Sequence, residues 1–287
     1  MKSKNAIQVF THEIMPGLAV IRAAYVQQRF PKHWHETYSL GVILSGVNRF
    51  MHRGSYQYAT INTLFMVNPG EVHTGETCTE NGWEYLNILP TPDLLAKTQH
   101  AMDMPVKSVY FPTPVIADKP AVNALQRFAL AVVQALPAME VEQKWFTLCE
   151  NLFSRHAEKN RELKALPLPH AISQAREVLD SHISDNLSLS ALAKICAVSP
   201  FHLARSFTHY VGVPPHAYHL QKRIAHAKTL IQRGDHPLAE VAVATGFADQ
   251  AHMTRLFRRY HGATPGQFQI KFIDSRKNIQ DDSTYFE

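Results

Sequence analysis

Two groups of residues in this sequence carry side chains that can do chemistry. The first is a set of three histidines, His33 and His35 in "PKHWHETYSLGVILSG" and His73 in "VNPGEVHTG". Residues two apart on a strand point to the same side, so His33 and His35 share a face, and the Pro-Gly turn ahead of His73 can return a third imidazole to them. Three neutral imidazoles suffice for a divalent metal with an open position, and they equally suit the polar wall of a small-molecule pocket. Glu36, Tyr38, Arg49, Trp83 and Tyr85 are candidate companions, aromatic walls with a few charged groups. Simple core or rim packing is the competing reading for each, and the chain has 17 histidines, many of them ordinary surface residues.

The second group is the segment "GFADQAHMTRLFRRYHGATPGQF", Gly246 to Phe268. At helical spacing Met253, Leu256, Phe257 and Tyr260 fall on one face, and His252, Arg255, Arg258 and Arg259 lie away from it. An apolar face anchors such a helix to its own bundle. The outward face can then enter a DNA major groove, where Arg pairs with guanine, Gln250 with adenine, and Thr254 meets a thymine methyl. A solvated helix face is the plainer alternative for any single helix of this kind.

What decides between them is repetition. Leu192 and Ala193 recur as Val241 and Ala242; after a one-residue gap, Arg205, Phe207, Tyr210, Gly212 and Pro215 recur as Arg255, Phe257, Tyr260, Gly262 and Pro265. Each copy reads as a short helix ("SLSALAKIC", "PLAEVAVAT"), a tight turn, and a second helix ("PFHLARSFTHY", "QAHMTRLFRRY"). In the first copy Leu203, Phe207 and Tyr210 are expected inside and His202, Arg205 and His209 outside. Between the copies, "PPHAYHLQKRIAHAKTLIQRG" is long enough for one connecting helix. Charge singles out the same region: Asn186 to Ile273 holds ten Lys or Arg against three Asp or Glu, while the whole chain is only +5. A double helix-turn-helix that binds double-stranded DNA follows from these features together.

The elements upstream have a different texture. From about Val20 to Leu89, short alternating runs such as "YSLGVILSG", "NRFMHRG" and "TLFMVNPGE" are punctuated by Gly and Pro, which predicts an antiparallel all-β sandwich or barrel. After "YFPTPVIADKP", the runs "AVNALQRFALAVVQAL" and "MEVEQKWFTLCENLFSRHAEKN" predict two amphipathic helices joined at Pro137. Their wide apolar faces suit packing on the barrel and also a homodimer contact. The polar "KNRELKALPLPH" then reads as a linker. The expected organisation is a β domain over 1–115, a helical hairpin over 116–158, a linker over 159–169, a DNA-binding domain over 170–273 and a polar tail over 274–287.

With 287 residues there is room for two such domains, each with its own core. Three cysteines, Cys78, Cys149 and Cys196, without a CxxC pair, argue against a disulfide framework or Cys-based zinc site. No apolar run reaches the roughly 20 residues of a membrane span, and none at the N-terminus resembles a signal peptide, so a cytoplasmic protein without a membrane partner is expected.

The stretches "LSLSALAKICAVSPFHLARSF", "RIAHAKTLI" and "LAEVAVATGFADQAHMTRLFRRYHGATPGQF" resemble the DNA-binding domain of the AraC/XylS family of bacterial transcription regulators. The resemblance covers about Ala171 to Phe268. It implies that Phe201, His202, Ala204 and Arg205 of the first unit, and Gln250, Ala251, His252, Thr254 and Arg255 of the second, face DNA, with Arg258 beside them. Ala197 stands where the family often has Gly, and Gln269 where an Arg commonly follows the last aromatic. The histidine motifs resemble the cupin-like sensor half of the same family, a double-stranded β-helix. Metal-binding cupins carry a Glu four or five residues after the second His and an Asn after the last. Here Ser39, Leu40 and Thr77 occupy those places.

What the resemblance implies is a non-enzymatic, sequence-specific transcription regulator, an activator, controlled by a small molecule, for which the residues themselves offer His33, His35, Glu36, Tyr38, Arg49, His73 and Trp83 as candidate contacts. RNA polymerase and a second copy of the chain are its further partners. No cofactor is required, and a divalent metal on His33, His35 and His73 stays open. Three alternatives stand beside this reading. One is a regulator that senses nothing, and another a cupin metalloenzyme with a DNA-targeting module. A DNA-repair alkyl acceptor, the third, lacks the base or turn that would activate "ETCTE", "TLCEN" or "KICAV".

Overall fold

In the computed structural model of the chain, residues 5–158 and 169–268 are described. They form two compact units, one on either side of residue 164. The expected linker, Pro169 excepted, and the expected tail lie outside the described residues, as do 269–273 of the expected DNA-binding domain.

The first unit has ten strands, the eight from β2 to β9 formed by the alternating runs: β1 (Ala6–Phe10), β2 (Val20–Tyr25), β3 (Arg29–His33), β4 (Ser39–Gly46), β5 (Asn48–His52), β6 (Ser55–Ala59), β7 (Leu64–Val67), β8 (His73–Thr77), β9 (Trp83–Ile88) and β10 (Val115–Ile116). They pair antiparallel in two sheets, ordered β1-β2-β9-β4-β7-β10 and β3-β8-β5-β6. The period-two pattern explains how one sheet serves two layers. On one face of the larger sheet, Val20, Leu40, Val42, Leu64, Met66, Leu86 and Ile88 pack into a core with helices α2 (Lys119–Val133) and α3 (Ala138–Arg155). On the other face Tyr25, Phe65 and Tyr85 alternate with them and meet Phe30 and Phe50 of the smaller sheet, Tyr25–Phe30 at 5.3 Å and Phe50–Phe65 at 6.4 Å between ring centres. Gly41 makes room there: a Cβ on it would stand 2.2 Å from Cζ of Phe65.

The two predicted helices are α2 and α3, and Pro137 is the N-cap of α3. Phe128 and Trp145 meet at 5.0 Å between their ring centres. Three elements have no counterpart in the sequence reading, the two-residue β10 among them. Strand β1 lies ahead of where the strand pattern was placed, and helix α1 (Pro92–Ala101) follows it. Only Leu94 and Leu95 give α1 an apolar stripe, and its other buried positions are Thr98 and Gln99, so its periodicity is faint. Thr98 contributes through a hydrogen bond: Trp145 Nε1 donates to its Oγ1 at 2.8 Å.

In the second unit α4 (His170–Ser181) precedes the repeat, α5 (Leu189–Ile195) and α6 (Pro200–Val211) are its first copy, α7 (Pro215–Arg233) connects, and α8 (Leu238–Ala244) and α9 (Gln250–His261) are the second copy. The copies agree in their stops and starts. Ser199 caps α6 by accepting from the His202 amide, and Asp249 caps α9 by accepting from that of His252. Both second helices end in a left-handed glycine, Gly212 at φ 84° and Gly262 at φ 74°. Leu203 and Phe207 are buried in one copy, Met253 and Phe257 in the other. Tyr210 differs from expectation: at the last turn of α6 it is 47% exposed.

The turns inside the two copies also match, and there the chemistry diverges. Gly246 takes φ +78°, and a Cβ on it would lie 2.4 Å from the Ser184 carbonyl oxygen. Its counterpart Ala197 takes φ 53°, a conformation that an L side chain adopts at a cost of about 1 kcal/mol. Ala197→Gly is therefore expected to stabilise the second unit, by up to about 1 kcal/mol after the added freedom of the unfolded chain is deducted. Gly246→Ala should destabilise it by about 2 kcal/mol or more. Thermal unfolding of the two variants checks the pair, and equal effects would mean that the two turns are not equivalent.

Candidate DNA interface and histidine cluster

The second unit exposes the side chains that a groove-reading surface needs. In α6, Phe201, His202 and Arg205 are exposed and Ala204 is half-buried; in α9, Gln250, Ala251, Arg255 and Arg258 are exposed and His252 and Thr254 half-buried. Each set lies opposite the buried pair that anchors its helix. Phe201 is 76% exposed on the first turn of α6. An aromatic in that position gains nothing from folding and can make apolar contact with a thymine methyl.

What fixes the two copies to one another is α7. Its Arg223 donates from Nε to the Ile183 carbonyl, from Nη1 to that of Gly246 and from Nη2 to that of Asp185, each at 2.8 Å, and from Nη2 to Asn186 Oδ1 at 3.2 Å. One planar guanidinium thus ties the loop ahead of the first copy to the turn inside the second. Beside it, the Tyr218 hydroxyl donates to Asp180 at 2.9 Å and His219 Nε2 donates to the His182 carbonyl at 2.9 Å, while the Tyr218 ring packs on Phe207 at 5.5 Å. The sequence reading treated α7 as a connector and passed over Arg223. No spacing marks it, because its acceptors are backbone carbonyls.

In the first unit the three histidines come together. Ring centres are 4.3 Å apart for His33 and His73, 4.7 Å for His35 and His73, and 5.1 Å for His33 and His35. Strand pairing sets this: His33 is the register partner of His73, across an irregularity in β3 between Phe30 and His33. The Pro-Gly turn does the rest, since Gly70, at φ +77°, donates its amide to the His35 carbonyl at 2.8 Å. His33 Nδ1 donates to the Pro31 carbonyl at 2.7 Å and His73 Nδ1 to the Glu71 carbonyl at 2.9 Å. Burial lowers the pKa of His33, and burial together with the neighbouring His33 lowers that of His73, so both imidazoles are held neutral.

Glu71 closes the same turn. Its carboxylate accepts from His52 Nε2 at 2.8 Å, from Arg53 Nη2 at 2.7 Å, from Asn68 Nδ2 at 3.0 Å and from the Tyr110 hydroxyl at 3.3 Å. Burial by itself would raise this carboxyl, but the bonds from His52, Asn68 and Arg53 outweigh it and bring the pKa down to about 2. Among the expected companions, Trp83 lies in the aromatic layer, 5.2 Å from Tyr25, and its Nε1 has no hydrogen-bond partner. Tyr85 shares that layer, 6.0 Å from Tyr25. Other positions are separate from the histidines. Tyr38 packs in the helix-covered core and donates to the Val109 carbonyl at 2.6 Å. Arg49 pairs with Glu76 at 2.7 Å and lies over the ring of Tyr56, and Glu36 is exposed. His52, fully buried beside His73 by register, was missed, although the alternation in "NRFMH" places it on the same face as buried Phe50.

Two family models match the chain in succession. Residues 15–193 match the model of an AraC-like ligand binding domain, and residues 192–270 that of a helix-turn-helix domain. An uncharacterized HTH-type transcriptional regulator of Bacillus subtilis (strain 168), YbfI, is 30% identical over 229 residues, 79% of this chain and 82% of that one. The arabinose operon regulatory protein of Escherichia coli (strain K12) is 28% identical over 123 residues, 42% of each chain. The structure of ToxT from Vibrio cholerae O395 matches 94% of this chain and 98% of its own with a TM-score of 0.54 at 12% identity, a likeness of fold.

The Arg223 clamp makes a measurable difference. Arg223→Met leaves three carbonyls without a charged donor and should lower the stability of the second unit by about 2 to 4 kcal/mol. Denaturant unfolding checks this. A change below about 0.5 kcal/mol would mean that water replaces the guanidinium at no cost.

Proposed function

Because the chain belongs to the AraC-type transcriptional regulators, DNA-binding proteins with an N-terminal ligand-binding domain, we propose that it activates transcription in the cytoplasm as a homodimer. A small molecule bound between the sheets of the first unit controls it, and RNA polymerase is its further partner. The observation that carries the DNA reading is the repeat itself: two helices with matching caps, matching buried anchors and outward faces of Arg, His, Gln and Thr. A single such face is ordinary; two at equivalent positions in the basic third of the chain support reading of successive major grooves.

Arg205 and Arg255, equivalent in the repeat, are the residues to which guanine recognition is assigned, and Gln250 suits adenine. The remaining cations serve the phosphates. For the sensor, the aromatic layer around Tyr25, Phe30 and Trp83 supplies apolar walls, and the unpartnered Trp83 Nε1 supplies a donor for a ligand's oxygen or nitrogen. The ligand acts only through a difference in its affinity for the DNA-competent and incompetent states. Neither buried thiol supports a catalytic alternative: burial raises the pKa of Cys149 and of Cys196, away from the reactive thiolate.

Selection from a random DNA pool by the intact protein should recover a site with two blocks about one helical turn apart. Arg255→Ala should weaken binding to that site by about 1 to 3 kcal/mol and relax selectivity in one block alone. Equal loss on selected and random DNA would make Arg255 a phosphate contact. Recovery of no motif, by the intact protein or by a fragment starting at Pro169, would overturn base readout.

A further inference from the structure

The histidine cluster has a property that a polar wall does not need. A backbone carbonyl can only accept, so the bonds of His33 to Pro31 and of His73 to Glu71 place the ring proton on Nδ1 of both residues. Their Nε2 atoms are then bare acceptors, and His33, His35 and His73 bring one ring nitrogen each to within 4.8 Å of the others. Metal-ligating histidines show this arrangement, in which a carbonyl on one nitrogen fixes the tautomer and aims the other nitrogen at the ion.

We propose that His33, His35 and His73 form a binding site for one divalent transition ion of the borderline class, such as Zn²⁺, Co²⁺, Ni²⁺ or Fe²⁺. Nitrogens bound to one such ion at about 2.0–2.1 Å stand about 3.3 Å apart, which the three rings reach by small side-chain rotations from their present spacing. Donor chemistry sets the class. Imidazoles select borderline transition ions, and Ca²⁺ and Mg²⁺ require oxygen ligands, which this cluster does not contain. Of the two carboxylates nearest in sequence, Glu71 is committed to His52, Arg53 and Asn68, and Glu36 is exposed to solvent. The backbone is prepared as well: the strand register, the Gly70 amide on the His35 carbonyl and the Glu71 carbonyl on His73 hold all three residues before any ion arrives. Three protein ligands leave coordination positions open. Resting on the reading of this unit as the sensor, those positions define an effector class: small molecules with an oxygen or nitrogen donor.

The test uses the full chain, stripped with a chelator, reloaded with Zn²⁺ or Co²⁺, and dialysed. Elemental analysis should find about one equivalent per chain. His33→Ala and His35→Ala should lose it, and His100→Ala, at an exposed position of α1, should keep it, as the control for loss of a surface histidine. Half-buried His35 is the variant that tolerates truncation, and circular dichroism confirms its fold. With Co²⁺ the protein should show the visible bands of a four- or five-coordinate ion, shifted by azide as a probe of the open positions. Substoichiometric metal, or metal retained by both variants, would overturn the site, and bands that azide leaves unchanged would overturn the open positions and with them the effector class. Since metal content is read without DNA and base readout without metal, either can fail while the other stands.

Discussion

The second unit depends on one guanidinium. Arg223 donates four hydrogen bonds to groups on two separate segments, the loop at 183–186 and the turn at Gly246. A lysine has three donors on a point charge and cannot span those directions; the planar fork of arginine can. The geometry matters because each copy of the repeat is small. Its first helix has only seven residues, α5 or α8, and each of its two helices buries only two side chains. Such a unit has too little buried surface to hold its second helix at a set angle unaided. Packing on α7 and the bonds of Arg223 supply the missing constraint, so the long helix serves as a strut that fixes both reading helices relative to each other.

Glu71 has the equivalent position in the first unit, with the charges reversed. An acid in a partly buried turn is costly unless its lone pairs are filled, and here they are filled from β5, from the Asn68 side chain and from Tyr110. The network joins the smaller sheet to the segment at 110–112, where Arg53 also bonds the Pro112 carbonyl at 2.6 Å. Its consequence reaches the histidines through the backbone. The turn that the Glu71 side chain holds in place is the one whose Glu71 carbonyl orients His73 and whose Gly70 amide binds His35.

Much of this was legible in the sequence, and the reasons differ by element. Helix α9 was legible because three arginines stand against Met253 and Phe257 at helical spacing, and the repeat was legible because Gly212 and Gly262 meet the same left-handed requirement. The strands were legible from alternation, and so were α2 and α3 from their wide stripes. Residues whose role depends on partners distant in sequence were not. Arg223 bonds carbonyls 23 to 40 positions away, and Glu71 reaches Tyr110 across 39. Tyr38 was set beside the histidines as part of an aromatic wall, yet it shares parity with Leu40 and Val42 and so belongs to the helix-covered core. Arg49 likewise sits one residue off the parity of Phe50 and His52, which turns it toward Glu76 and Tyr56. A strict count of alternation separates both from the cluster.

The two copies share a frame but differ in the charge they expose. Helix α9 presents three permanent cations, Arg255, Arg258 and Arg259, whereas α6 presents Arg205 alone, with His202 and His209 beside an exposed Phe201. Phosphate attraction scales with fixed positive charge and is screened by salt; apolar contact with a base edge is neither charge-dependent nor screened. On the proposed DNA reading, the second copy would add more of the salt-sensitive attraction to phosphate, and the first more of the apolar contact, beside the base readout assigned to both. The strain at Ala197 fits this division. A turn that holds α6 in place at a cost in stability persists because the surrounding structure over-determines it, and here α6 packs on α4 and α5 as well as on α7.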